Sequence, residues 1–287
     1  MMKKEAARLC GNARMAGHFA LHEQEKYGII KTIGSENRGE NEHLRPFVRL
    51  SKKERGKTMN FEETEVLYNA YRGILRNNRS FQPGKSTAVE YRMGFPEYAD
   101  LLKKYPFEKI AGKGTDLQRA IRVLKYLSPK LTHSPWYDGH VDCNALALLD
   151  YSLDKPEQGI NCLNKAKILE EVCLALGIYA RRVRFLPYSP FDFDCHVVTE
   201  IYDRSQEKWC MLDPTTNGYL VDEQGTILSL LEARERMADT RFVTYCKATS
   251  REKNLQKLYR KNIARTAYYA KNLFRIQVDA VSQFGES

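Results

Sequence analysis

The 287 residues carry 46 Lys and Arg against 36 Asp and Glu, a net charge of +10, and 43% of them are apolar. That is enough apolar material for a substantial core in one large domain, or one domain with appendages, so a soluble globule is expected. No run approaches eighteen apolar residues, and no apolar stretch follows Lys3 and Lys4, which argues against a membrane span or a secretory leader. The seven cysteines (Cys10, Cys143, Cys162, Cys173, Cys195, Cys210 and Cys246) are odd in number and never paired as C-x-x-C. They argue against a disulfide framework or a zinc site, and reduced thiols in the cytoplasm are expected.

The charge is uneven. Residues 1–58 sum to +6, residues 59–240 to −3 and residues 241–287 to +7, so any contact with nucleic acid or an acidic partner is expected at the ends. The segment 1–58 has no sustained apolar periodicity and reads as basic and poorly ordered, with Met59 as a candidate internal start directly before the first helical pattern. The remainder divides into a helical part over 59–114, a core over 115–240 and a basic amphipathic helix within 241–287.

In chain order, helical patterns fall near 61–76, 95–105, 116–127 (with Thr115 as N-cap) and 143–152. A turn at Gly159-Ile160-Asn161 leads into apolar positions Ala166, Leu169, Val172, Cys173 and Leu176 at helical spacing, stopped by Gly177. Alternating runs at 179–186, 195–202 and 208–213 predict strands, and a helix near 228–238 follows. The last pattern, 250–275, has Leu255, Leu258, Tyr259, Ile263, Ala267, Ala270 and Phe274 at helical spacing with Lys and Arg between them. A terminal helix packed on the body is expected, and the basic face leaves RNA, DNA or a membrane surface as the other reading. Helices first and strands afterwards predict an α+β fold.

Three residues stand out within this frame. Cys162 opens a helix, where unpaired amides and the positive end of the macrodipole favour a thiolate and could hold an oxyanion. If 195–202 and 208–213 form a hairpin turning around Arg204 and Ser205, paired positions sum to 409 and His196 lies directly opposite Asp213. A carboxylate there would hold one imidazole nitrogen while the other faces the sulfur. Weaker candidates for a second oxyanion donor or substrate contact are Asn161, Gln158, Asn144 and Trp136. Arg181 is expected to support the sheet through an ion pair. His133 and His140 with Asp138 and Asp142 have no spacing that would converge them on a metal, so no metal and no cofactor are expected.

The run Gly159-Ile160-Asn161-Cys162 with Ala166, then Leu176-Gly177-Ile178-Tyr179-Ala180-Arg181, then His196 with Glu200-Ile201-Tyr202, then Trp209 with Leu212-Asp213-Pro214-Thr215, resembles the transglutaminase-like superfamily, particularly its small bacterial members. The resemblance spans roughly 115–237. It implies a papain-like α+β fold, a central helix packed on an antiparallel sheet, with Cys162 as nucleophile, His196 as base and acid, and Asp213 as the orienting carboxylate. Val198 and Leu163 stand where many relatives and the animal cross-linking enzymes, respectively, have Trp, and neither calcium sites nor paired zinc cysteines are matched. The implied activity is thiol-dependent hydrolysis or acyl transfer at an amide of a peptide, isopeptide or glutamine side chain, through a thioester. The choice between water and an amine as acceptor is left open by the sequence, with water favoured because nothing in the chain marks a second site for an amine. The alternative is a catalytically silent fold that acts as a binding module through its basic ends. Substrate identity and oligomeric state are left open.

Overall fold

The computed structural model describes residues 59–79 and 88–286; the expectations for residues 1–58 lie outside them. The chain opens with helix α1 (Phe61–Asn77), started by a capping box in which Asn60 and Glu63 satisfy each other's backbone amides. A two-residue strand β1 (Glu90–Tyr91) and helices α2 (Pro96–Lys104), α3 (Phe107–Ala111) and α4 (Asp116–Leu127) follow. Thr115 caps α4 as expected, in a second capping box closed by Gln118. Helix α5 (Ala145–Asp154) starts two residues later than its apolar pattern, because the Asn144 side chain takes the Ala147 amide and fixes the cap there.

The central helix α6 (Cys162–Ala175) is buried on all sides from Asn164 to Leu174. It packs against strands β2 (Ala180–Leu186) and β3 (His196–Asp203). With β4 (Lys208–Leu212) and β7 (Arg275–Val278) these make a four-stranded antiparallel sheet in the order β4-β3-β2-β7. Between β4 and β7 in the sequence lie strand β5 (Gly218–Val221), helix α7 (Leu230–Ala238), strand β6 (Thr244–Lys247) and helix α8 (Leu255–Asn272). A last short strand, β8 (Val281–Ser282), pairs in parallel with β1. The architecture is α+β.

The sheet separates two apolar layers. Ile201, Cys210 and Leu212 pack with α2, α4, α5 and α6, whereas Val183, Phe185, Val198 and Met211 pack with α1, α7 and α8. The period-two alternation of β3 and β4 assigns each residue to its side. The terminal helix α8 buries Leu258, Ile263, Ala267 and Ala270 of the stripe read from the sequence, mostly against α1 and β6, while Leu255 and Tyr259 are half-buried and Phe274 lies beyond the helix end. Strands β5, β6 and β7 had no separate sequence signal. Each has four residues, and β7 begins three residues after α8 ends.

The hairpin register differs from the expected one. Thr199 pairs with Leu212 and Asp203 with Lys208, so paired positions sum to 411 rather than 409. The turn holds four residues, Arg204–Glu207, instead of two. Asp203 accepts from the Ser205 amide and hydroxyl and from Gln206 Nε2, Glu207 adopts a left-handed conformation (φ 52°), and Arg204 forks onto Asp116 at 2.6 and 2.8 Å. A shift of two keeps every side chain on its predicted face; a shift of one would have inverted them. His196 and Asp213 are therefore diagonal neighbours on one face and not directly opposed.

No helix among the described residues is long and apolar enough to cross a membrane.

Candidate active site

Cys162 occupies the first position of α6 because the Asn161 side chain accepts the Asn164 amide and stops the preceding chain from continuing the helix. Gly159 (φ 69°) makes the turn before it in a left-handed conformation that favours glycine, and an added Cβ would sit tightly, 3.0–3.1 Å from the Thr132 carbonyl and Ser134. The Cys162 and Leu163 amides at this helix start have no intrahelical acceptor.

His196 is the first residue of β3, paired with Phe185 of β2. Its Nε2 lies 3.0 Å from Asp213 Oδ2, and the Cys162 side chain is its other hydrogen-bond partner, which leaves Nδ1 for the sulfur. Burial alone would depress this ring; the charge of Asp213, its hydrogen bond and the contact with Cys162 outweigh that and raise the imidazole from 6.5 to about 10. The ring is fixed by packing as well as by polar contacts. Phe185 meets it edge to face at 5.4 Å, and Phe185, Tyr269 and Tyr245 form a stack at 5.3 and 6.1 Å.

Asp213 is fully buried, and burial by itself would raise its carboxyl. His196 and the hydroxyls of Thr216 and Tyr269 hold it well below the ordinary carboxylate range instead. Thr216 Oγ1 donates at 2.6 Å, Tyr269 Oη at 2.7 Å and the Thr215 amide at 2.8 Å. Burial and the nearby carboxylate keep the Tyr269 hydroxyl protonated, so it serves as a donor. Gly218 exchanges backbone hydrogen bonds with Asp213, and only glycine fits there, since an added Cβ would lie 2.1 Å from the Tyr245 hydroxyl. That hydroxyl is bonded to Thr216, so the support of the carboxylate reaches a third layer.

The structure thus brings Cys162, His196 and Asp213 together. The weaker candidates are engaged elsewhere or stand apart. Asn161 spends its oxygen on the helix cap, Asn144 does the same for α5, and Gln158 accepts from the Tyr151 hydroxyl at 2.5 Å. Trp136 is 51% exposed in the loop ahead of Tyr137. Arg181 pairs with Glu200 at 2.7 Å and lies over the Trp209 ring at 3.9 Å, the structural role expected of it.

Four neighbours escaped the sequence reading. Tyr269 and Thr216 reach Asp213 only through tertiary packing, and Tyr269 is 56 residues away in sequence. His133, considered only as a metal candidate, belongs beside the site. Burial, followed by the charges of Lys165 and His196, lowers its ring to about 4, so it is neutral, and its buried Nδ1 has no hydrogen-bond partner.

Lys165 had a signal, a cation three residues after Cys162 on an otherwise apolar face. It is 1% exposed, its Nζ donates to the Leu131 carbonyl at 2.6 Å, and burial lowers its ammonium from 10.5 to about 8 despite the opposing pull of Asp213 and Cys162. Between pH 8 and 10.5 the unfolded chain keeps a proton that the folded one has lost, so folding stability gains with rising pH in that window. The wild type is therefore expected to gain about 3 kcal/mol relative to Lys165→Met across it, which unfolding of both proteins in urea at each end would measure.

No protein-family model matches the chain, and no curated protein does. Among solved structures it is similar in part to a provisionally assigned cysteine protease of Cytophaga hutchinsonii, at 15% identity over 52% of this chain and 47% of that one, with a TM-score of 0.31. It is similar as well to a provisionally assigned protease of Parabacteroides distasonis, at 11% identity over 56% of this chain and 30% of that one, with a TM-score of 0.28. The chain spans about half the length of the first and under a third of the second.

Proposed function

We propose that the protein is a cysteine-dependent amide hydrolase of papain-like, transglutaminase-like architecture, with water as the acceptor. The observation that carries this reading is the buried His196 ring held between the Asp213 carboxylate at 3.0 Å and the Cys162 thiol at the start of a helix. An aspartate that is merely structural has no need of a histidine whose second nitrogen meets a sulfur.

In the proposed reaction the Cys162 sulfur attacks the carbonyl carbon of a peptide, isopeptide or glutamine side-chain amide and forms an S–C bond. His196 holds the thiol proton, and the unpaired amides of the helix start face the developing oxyanion. When the C–N bond breaks, His196 passes that proton to the leaving amine, and a thioester is left on Cys162. Water then adds to the thioester, His196 takes its proton, and the C–S bond breaks to give the acid and the free thiol. Asp213 keeps one ring nitrogen occupied throughout, so the other is always directed at the reacting atoms. The loop ahead of His196 presents Tyr188, Phe191 and Phe193 to solvent, an apolar surface for the remainder of a peptide.

The test is alkylation by iodoacetamide at mildly acidic pH followed by peptide mapping. Burial raises the thiols of Cys143, Cys173 and Cys210 to about 12 and raises that of Cys246, so these four are slow internal references. Cys162 is expected to label first and His196→Ala to slow it at least tenfold. Equal labelling of Cys162 in the two proteins would remove the thiol–imidazole pair from the proposal.

A further inference from the structure

Lys165 is costly where it stands. Its side chain is 1% exposed, and it forms no ion pair with a carboxylate among the described residues. Asp213, whose charge reaches it, already receives His196, Thr216, Tyr269 and the Thr215 amide. An ammonium taken out of water without a paired anion is destabilising, and a cation near the start of a helix opposes the macrodipole as well. A methionine of similar length would fill the same space at neither cost.

The ammonium is nevertheless held in a fixed place. Cys162 and Lys165 are three residues apart on α6, so their side chains share one face. Lys165 Nζ donates to the Leu131 carbonyl at 2.6 Å. The segment that begins at Leu131 is in turn clamped to the residue two before the cysteine: the Ile160 amide donates to the Thr132 carbonyl and the Ser134 amide to the Ile160 carbonyl, both at 3.0 Å. The cation is thus tethered at both ends, by its own helix and by the chain leading into Cys162.

The titratable groups that face it are Cys162 on its own helix, Asp213 beyond β4 and His133 on the clamped segment. His133 is neutral and Asp213 is engaged by His196, so the sulfur is the anion left for the ammonium to serve. Burial lowers the ammonium only to about 8, so it keeps its proton at neutral pH. Charge balance gives the reason for a second cation. Once the imidazole is protonated it cancels Asp213, and a thiolate would be an uncompensated anion without Lys165.

We propose that Lys165 is a charge-positioning residue for the nucleophile: its ammonium, held on the Leu131 carbonyl, keeps negative charge on the Cys162 sulfur and favours transfer of the thiol proton to His196. The S–H bond breaks, the proton passes to the ring nitrogen that faces the sulfur, and no bond is made to Lys165. This role rests on the reading of Cys162 as the nucleophile and adds the group that sets how acidic the thiol is.

The competing role is mechanical, an amine that only ties α6 to Leu131. Two substitutions in the full chain separate them. Lys165→Gln keeps an N–H donor for the carbonyl without the charge, and Lys165→Met removes both. Iodoacetamide labelling of Cys162 is followed across about pH 4 to 10 in each. Both variants are expected to label about tenfold more slowly on the rising limb, as for a thiol midpoint about one unit higher, and to converge on the wild-type rate at alkaline pH, where the thiolate forms unaided. A Gln variant with the wild-type profile assigns Lys165 to the mechanical role, and a loss of equal size at every pH shows a displaced sulfur; either overturns the proposal. A reciprocal measurement uses the wild type. Alkylation of Cys162 removes the thiolate charge, so the Lys165 titration midpoint, followed by NMR at its ε-carbon, should fall by about one unit, the shift that the ammonium gives to the thiol. A midpoint that does not move overturns the proposal even if neither variant folds. If Cys162 labels first and the profiles coincide, this role falls and the nucleophile stands; if Cys162 labels no faster than Cys143, Cys173, Cys210 and Cys246, both fall.

Discussion

Asp213→Asn is expected to lower the turnover of an amide substrate by about 10⁴, the scale seen when the orienting acid of a catalytic triad becomes an amide. The amide would place an N–H₂ group among donors, since Asp213 receives His196 Nε2, Thr216 Oγ1, Tyr269 Oη and the Thr215 amide. The hydroxyls can turn to accept; the imidazole can do so only by moving its proton to the other nitrogen, which removes the acceptor that faces Cys162. Stability should change with pH in a defined way. In the wild type the His196 contribution is fully present below 6.5 and is lost as pH rises through about 10, because the folded ring holds its proton more tightly than the unfolded one. The Asp213 contribution is present above 3.8 and is lost on acidification, because the folded carboxyl is depressed. Both slopes should be missing from the Asn variant in urea unfolding series across these ranges. A variant that keeps wild-type turnover, or that retains both slopes, would show that the His196–Asp213 pair does not govern the site.

The second large effect is expected at Lys167. Its Nζ is buried between Glu171 at 3.0 Å, Glu170 at 3.3 Å and the Gln283 carbonyl at 2.7 Å. Lys167→Met leaves Glu171 with only the Ala145 and Gly285 amides, and a loss of about 3–5 kcal/mol is expected at neutral pH. Burial already raises the Glu171 carboxyl, and Lys167 is the strongest of the groups opposing that rise. In the variant the folded carboxyl therefore rises further above its unfolded value of 4.5, so part of the loss should be recovered as pH falls toward that value. The double substitution Lys167→Met with Glu171→Gln should be milder than the single one, because the carboxylate then left opposite the missing ammonium, Glu170, keeps Arg182 at 3.3 Å and the Ser282 hydroxyl at 2.7 Å. If the single variant melts with the wild type, this network contributes nothing to stability.

The positions of the elements were legible wherever periodicity was long enough to register. Helices α1, α4 and α6, the strands β2 to β4 and the apolar stripe of α8 fall within two residues of their sequence patterns or directly on them, because capping residues and alternation are written locally. The face that His196 and Asp213 share was legible from alternation alone. Their register was not, because it depends on a four-residue turn held by Arg204 on Asp116, 88 residues away.

The sequence by itself placed a cysteine at a helix start and a histidine and an aspartate on one face of a hairpin, since each follows from a cap or from a period of two. Only the tertiary structure decided what surrounds them. Tyr269 and Thr216 on the carboxylate, neutral His133, buried Lys165 and the unpaired oxygen of Asn164 all arise where separate elements pack together. Asn161 shows the division in a single residue: the sequence marks it as polar and next to the thiol, but whether its oxygen meets a substrate or a backbone amide depends on the fold, and it caps the helix. Burial and the partners available in space set hydrogen-bond pairing and proton affinity, and neither is a local property of the chain.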